Sequence, residues 1–220
     1  MTKLTLILAL VLASGLASAQ SDVLINEVDS DTAGTDILEF VELFGAPGAP
    51  LDGLVVVFYN GNGDVSYDAF DLDGFALDSN GFFLLGNAGV VPTPSIIFGS
   101  NGLQNGADAV ALYADDAASF PDGTAVTVAN LMDAVVYDTN DGDDAGLLAL
   151  LSPGEPQLNE DGGGNKDFHS NMRCPDGGGG ALVTTSFYQF GATPGGTNNL
   201  ACEPIPNETM SWGHLKSQYR

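Results

Sequence analysis

Six acidic side chains lie close together near the start of the sequence, on two apolar stretches and the segment between them. They are Glu27, Asp29, Asp31, Asp36, Glu39 and Glu42. Calcium takes about six to eight oxygen ligands, and flexible turns supply them well. Carboxylates gathered this closely repel one another unless a cation or protons intervene. We therefore predict a calcium site whose ligands are Asp29, Asp31, Asp36 and Glu39. The alternative is a solvated acidic edge with turn-capping residues.

A second group of oxygen-bearing side chains follows an apolar stretch later in the chain. It comprises Asp138, Asn140, Asp141, Asp143 and Asp144. An EF-hand loop needs glycine at its sixth position, whereas Gly142 stands fifth here. A helix N-cap explains Asp143 or Asp144 equally well, so a metal site and a cap both remain open.

The sequence contains no recognisable set of catalytic residues. His169 and His214 are isolated, and neither an HExxH nor a Gly-x-Ser-x-Gly motif occurs. Asp71 and Asp73 could form a carboxylate pair, but strand alternation already places them on one face. A nuclease or phosphatase would also need cations to meet phosphate. We expect a non-catalytic protein.

The first residues have the pattern of an export signal. Lys3 precedes an apolar run from residue 4 to residue 12, and Ala17-Ser18-Ala19 is a small-residue cleavage site. We therefore predict a signal peptide over residues 1–19 and a secreted protein, extracellular or at the cell surface. The apolar run is shorter than the ~20 residues that span a bilayer, so we expect no membrane span.

The two cysteines, Cys174 and Cys202, stand near the end of this exported chain, where oxidising conditions favour a disulfide. Closing a loop of about 28 residues would stabilise the fold by roughly 3–4 kcal/mol. The alternative, a nucleophilic Cys174 served by His169, lacks a group to orient the base. We predict that the cysteines are bonded.

Charge excludes one class of partner. The chain has 29 acidic and 5 basic residues and a net charge of -24 at pH 7. Such a surface repels phosphate backbones, so we expect no direct binding to nucleic acid unless cations reverse the field. With 44% hydrophobic and 15% charged residues, the chain should form a globular domain.

Period-two alternation and turn residues predict an all-β fold. Strands are expected near residues 22–29, 37–44, 53–60, 66–73, 81–86, 95–98, 107–114, 132–138 and 182–190. One short helix is expected over 145–151, capped by Asp143 or Asp144. The polar, glycine-rich segment 159–180 is expected to be a long loop. Many short strands with so little helix indicate a sandwich or barrel.

Two regions of the sequence resemble the lamin-tail domains of bacterial extracellular proteins. In the first region the matching motifs are LINEVD at 24–29, GTD at 34–36, EFVEL at 39–43 and LDGL at 51–54. In the second they are RCPDG at 173–177, Thr185 and ATPG at 192–195. The resemblance covers roughly residues 22–202 and implies an immunoglobulin-like β-sandwich. It implies no activity, because such domains usually accompany a separate catalytic domain.

These observations predict one lamin-tail-like β-sandwich domain over residues 20–202, followed by a C-terminal linker and short tail over 203–220. We expect a non-catalytic binding or adhesion module, stabilised by calcium, with an extracellular protein or polysaccharide as partner. The alternative is an accessory or remnant domain of an extracellular metal-dependent nuclease or other hydrolase.

The tail has a pattern of its own. As a helix it would place Trp212, Leu215 and Tyr219 on one apolar stripe. It also carries Lys216 and Arg220 in an otherwise acidic chain. About ten residues are too few for a stable isolated helix. The tail is therefore either packed back on the sandwich or a short tag for export or surface attachment.

Overall fold

The computed structural model describes residues 23–198 of the chain, and these form eleven strands and two 3₁₀ turns. The predicted signal peptide, Cys202 and the segment 203–220 lie outside the described residues. The strands are β1 (Leu24–Asp29), β2 (Phe40–Phe44), β3 (Val55–Asn60), β4 (Val65–Asp71), β5 (Phe82–Gly86), β6 (Ile96–Ile97), β7 (Asp108–Tyr113), β8 (Leu131–Asp138), β9 (Leu158–Asn159), β10 (His169–Arg173) and β11 (Phe187–Gly191).

The strands form two sheets. One has six strands in the order β11-β10-β1-β2-β5-β6, and the other has five in the order β4-β3-β7-β8-β9. All pairs are antiparallel except β5 with β6 and β8 with β9. The prediction of an all-β sandwich is confirmed. Its immunoglobulin-like, lamin-tail type stays a prediction.

The main core lies between the sheets, because alternate residues of facing strands point inward. Ile25, Val41 and Leu85 come from the six-stranded sheet, and Val56 and Val110 come from the five-stranded sheet. A second core covers the outer face of the five-stranded sheet. There Val57 and Val136 share one apolar cluster with Leu147 and Leu150 of the 3₁₀ turn Leu147–Leu150. This second core explains why these strands are apolar on both faces.

The short helix predicted over 145–151 is present as that 3₁₀ turn. Asp144 caps it, since its Oδ1 accepts hydrogen bonds from the amides of Gly146 (2.8 Å) and Leu147 (3.0 Å). A second turn, Ala117–Ser119, was not predicted and is capped by Asp116. For the second acidic group, the cap is therefore the interpretation that the geometry supports.

The prediction of a long loop over 159–180 is wrong, because β10 lies inside it. This strand pairs with β1 on one side and β11 on the other, so it is interior to the six-stranded sheet. The predicted strand 182–190 starts later, at Phe187. Leu182 has a φ of 59°, which is incompatible with a strand.

Within residues 23–198, no helix is long and apolar enough to cross a membrane.

Candidate functional site

The six acidic side chains of the first region are not a solvated edge. They belong to β1, to β2 and to the loop between them, and all are at most 7% exposed. Removing carboxylates from water is costly unless hydrogen bonds or protons compensate. The structure supplies both.

Three of the four predicted calcium ligands bind protein donors. Asp31 forms an ion pair with Lys166. Asp36 accepts hydrogen bonds from the Thr32 amide (2.8 Å) and the Asn105 side chain (3.2 Å). The contacts with Lys166 and Asn105 tie the β1–β2 loop to segments more than 60 residues away in the sequence.

Glu39 closes the same loop at its far end. Its carboxyl oxygens accept hydrogen bonds from the amides of Gly102 (2.9 Å) and Leu103 (3.1 Å). Burial raises the pKa of Glu39 to about 7. The fourth predicted ligand, Asp29, is different, because its Oδ1 is buried with no hydrogen-bond partner among the described residues.

Asp29 interacts electrostatically with a second buried acid, Glu160. Glu160 accepts hydrogen bonds from the Ser30 hydroxyl (2.6 Å) and from the amides of Ser30 (3.2 Å) and Asp31 (3.3 Å). Burial, with the charge of Glu160 next, raises the pKa of Asp29 well above its usual range. Burial likewise raises the pKa of Glu160 to about 8. Protons therefore relieve part of the repulsion in this group.

Glu27 and Glu42, the other two acidic side chains of the first region, lie on the outer face of the six-stranded sheet. Glu27 accepts hydrogen bonds from the amide and hydroxyl of Thr193 (both 2.8 Å). Glu42 accepts one from the Gly195 amide (2.7 Å). Burial raises the pKa of Glu42 to about 9. The two glutamates hold the segment after β11 across the sheet.

No group of three or more histidine, cysteine, aspartate or glutamate side chains in the described part of the chain is arranged to hold a metal ion. The calcium site stays a prediction.

The buried ion pair Asp133–Arg173 was not foreseen. Arg173 donates two hydrogen bonds to Asp133, at 3.1 and 2.9 Å, and both side chains have no exposure. The guanidinium also lies 4.6 Å from the ring centre of Phe187. Asp133 accepts further hydrogen bonds from the amides of Ile25 and Leu182. The pair thus joins the two sheets and has a structural role.

Other residues singled out by the sequence also have structural roles. Asp71 and Asp73 accept hydrogen bonds from backbone amides in turns. His169 stacks on Phe190, with ring centres 6.2 Å apart. The Cys174 sulfur lies 3.5 Å from the carbonyl oxygen of Asn198. Because Cys202 lies outside the described residues, the disulfide stays a prediction.

An apolar pocket lies at one end of the six-stranded sheet. Its volume is about 510 Å³. The residues that line it include Asp29, Phe40, Ile37, Leu38, Val90, Val91 and Phe168. We call it the end pocket. Four loops meet there, because β1, β5 and β11 end and β2 and β10 begin at this end of the sheet. Loops on a rigid sandwich commonly carry binding sites.

Exposed apolar side chains concentrate in the end pocket. Ile37, Leu38, Val91 and Phe168 are between 47% and 81% exposed, and they are half of the eight large apolar side chains exposed among residues 23–198. Gly89 allows the walls to approach, because a Cβ there would lie 2.9 Å from the Ile37 carbonyl oxygen. Contiguous exposed apolar surface of this kind marks interaction sites.

Sequence reasoning placed Asp29 in a site but did not find the pocket around it. Phe168 and Asp167 stood in a segment predicted to be a plain loop. The single signal was an isolated phenylalanine in an otherwise polar stretch.

Comparison with protein-family models, curated proteins and solved structures gives no significant match to this chain.

Proposed function

We propose that this chain is a secreted, non-catalytic module of the lamin-tail-like type that holds an extracellular protein through the end pocket. The observation that carries the proposal is the concentration of exposed apolar side chains around one buried carboxyl group. Ligand pockets of about 300–1,000 Å³ that are mostly apolar, with few polar groups, are typical binding sites.

The walls of the pocket are fixed before any partner arrives. The ion pair between Asp31 and Lys166 joins two of its loops. Glu160 accepts hydrogen bonds from the amides of Ser30 and Asp31 at one end of the β1–β2 loop. At the other end, Glu39 accepts hydrogen bonds from the amides of Gly102 and Leu103 in another segment. A preorganised site loses less conformational entropy on binding. The fixed walls therefore favour the interpretation of the end pocket as a binding surface, rather than as a group of adaptable loops.

The chemistry of the lining favours a protein partner over a polysaccharide. Sugars present many hydroxyl groups that need hydrogen-bond partners, whereas the polar groups lining this pocket are Asp29, Thr32 and Asp167. An apolar side chain carrying one hydrogen-bond donor fits such a lining. The acidic charge of the chain further favours a partner segment with basic residues.

The test is retention of the purified chain on two immobilised sets of probes. One set consists of peptides that combine an aromatic side chain with lysine or arginine, and the other consists of neutral polysaccharides. Phe168→Ala and Val91→Glu should each weaken peptide binding about tenfold, the equivalent of about 1.4 kcal/mol. Ile97→Glu is the matched control, because Ile97 is exposed outside the pocket.

The proposal would be contradicted if the chain bound polysaccharide and Phe168→Ala and Val91→Glu left that binding unchanged. The hydrolase alternative is tested separately, by assaying DNA, phosphoesters and glycans with calcium, magnesium or zinc. Turnover that disappears in Asp29→Asn would favour that alternative.

A further inference from the structure

We propose that residues 211–220 of this same chain dock in the end pocket, with the indole of Trp212 seated over Asp29. The inference rests on the proposed function, because it names a regulator of that binding surface. The segment 211–220 would compete with the outside partner for the end pocket.

Trp212 matches the chemistry of the pocket. An indole is a large apolar ring with a single polar group, an N–H donor that needs an acceptor when buried. The pocket offers apolar walls and Asp29, whose buried Oδ1 accepts no hydrogen bond from residues 23–198. The χ2 torsion of aspartate is broad, so the carboxyl group of Asp29 can reorient toward a donor in the pocket.

Charge points to the same segment. After the predicted signal peptide, four basic residues remain, and two of them, Lys166 and Arg173, already form ion pairs with Asp31 and Asp133. The other two are Lys216 and Arg220. Asp167 stands at the rim of the pocket with its side chain half exposed, and Lys166, 3.8 Å away, is shared between Asp167 and Asp31. A basic segment is therefore attracted to this end of the molecule.

The chain is long enough to make this contact. The end pocket lies where β10 begins, and Cys174 follows the other end of this five-residue strand, roughly 17 Å away. If Cys202 is bonded to Cys174, the ten residues from Cys202 to Trp212 still span up to roughly 33 Å. The disulfide and docking of the tail are thus compatible.

A tethered segment competes strongly even when its intrinsic affinity is low. A short flexible linker gives an effective concentration of about 1 mM. A tail with an intrinsic Kd of about 0.1 mM would then be docked in about ten of eleven molecules. An outside partner would bind with an apparent affinity about tenfold weaker than to a chain without the tail.

The fluorescence of Trp212 tests the proposal without any partner, because it is the single tryptophan of the chain. The probe is acrylamide, a neutral quencher, applied to the folded chain from Gln20 to Arg220. We expect blue-shifted emission and quenching several-fold weaker than in a free peptide of residues 211–220. Phe168→Ala and Val91→Glu should bring both values close to those of the peptide, whereas Ile97→Glu should not.

Peptide-like quenching in the unmodified chain would overturn the proposal. Shielding that the pocket variants leave unchanged would also overturn it, because Trp212 would then be buried elsewhere. If the shielding of Trp212 from acrylamide is lost on dilution, the tail docks on a second copy of the chain and not on its own pocket.

A failed test here leaves the proposed function standing if peptide binding still depends on Phe168. The proposed function fails alone if Trp212 is docked and no peptide binds even after residues 211–220 are deleted.

Discussion

Buried carboxyl groups in this molecule act mainly as hydrogen-bond acceptors that tie loops to strands. The sequence predicted that Asp29, Asp31, Asp36 and Glu39 would gather, because they lie on adjacent strands and the turn between them. It did not predict their donors, since Lys166 is 135 residues from Asp31 and Asn105 is 69 residues from Asp36. Contacts between residues so far apart in the sequence depend on the order of the strands in the sheets. Local sequence patterns do not reveal that order.

The buried pair Asp133–Arg173 gives a direct prediction of stability. Arg173→Met should lower the free energy of unfolding by about 3–5 kcal/mol, because the Asp133 carboxylate would be left buried without its cation. Urea unfolding followed by circular dichroism measures the change.

Lys166→Met is the control for that experiment. The Lys166 side chain is 37% exposed in its pair with Asp31, and partly exposed pairs contribute less than about 1 kcal/mol. Equal losses in the two variants would contradict the structural role assigned to Arg173.

A single substitution and a melting-temperature measurement test the calcium site that the sequence predicts. A site in the folded form would raise stability by about 2.7 kcal/mol at a free calcium concentration of a hundred times the Kd. We expect a higher melting temperature in calcium than in chelator, and the increase should disappear in Asp29→Asn. A melting temperature indifferent to millimolar calcium would rule the site out.

At the scale of elements, β10 shows what sequence patterns leave out. Its residues are His169, Ser170, Asn171, Met172 and Arg173, a set without the β-branched and aromatic enrichment that indicates strands. The strand forms because β1 and β11 offer backbone partners on both sides. Four of the five strands of the other sheet were predicted closely, since Val, Phe and Tyr dominate a strand such as β3. The exception is the two-residue strand β9.

An interior strand must keep its amides, which leads to a prediction for Asn171→Pro. Asn171 pairs with Val28 and with Gln189, and proline removes a donor and fits poorly inside a sheet. We expect a loss of about 3 kcal/mol or more in the free energy of unfolding, by analogy with proline in helix interiors.

Asn171→Thr keeps the amide and is the matched control for that substitution. If proline and threonine have the same small effect in urea unfolding, β10 is not an interior strand.

At the scale of the whole molecule, the acidic character extends into the protein interior. Burial raises the pKa of Glu39 to about 7, of Glu160 to about 8 and of Glu42 to about 9. In the unfolded chain each of these groups would ionise near pH 4.3. The folded state therefore binds more protons than the unfolded state between these limits.

Stability should consequently fall as the pH rises from about 4.5 to about 9, because unfolding becomes favourable as the unfolded chain loses protons that the folded chain keeps. Each such proton contributes about 1.4 kcal/mol per pH unit. Urea midpoints measured from pH 4.5 to pH 9 should decrease steadily, and a maximum at pH 8 would contradict this expectation.

Glu42→Gln should make the same profile flatter, mainly between pH 5 and pH 9, since an amide does not ionise. Asp122→Asn, at an exposed position, is the matched control and should leave the slope unchanged. A slope unaffected by Glu42→Gln would mean that this carboxyl is ionised in the folded state.

The buried glutamates also make unfolding a source of acid. At pH 7, the two groups with pKa values of about 8 and 9 are protonated in the folded chain and ionised once it opens, so these two groups release about two protons. Glu39, with a pKa of about 7, releases about half a proton more. The heat of unfolding measured by calorimetry must then include the heat with which the buffer takes up those protons. Phosphate and Tris should give different apparent enthalpies for the same transition.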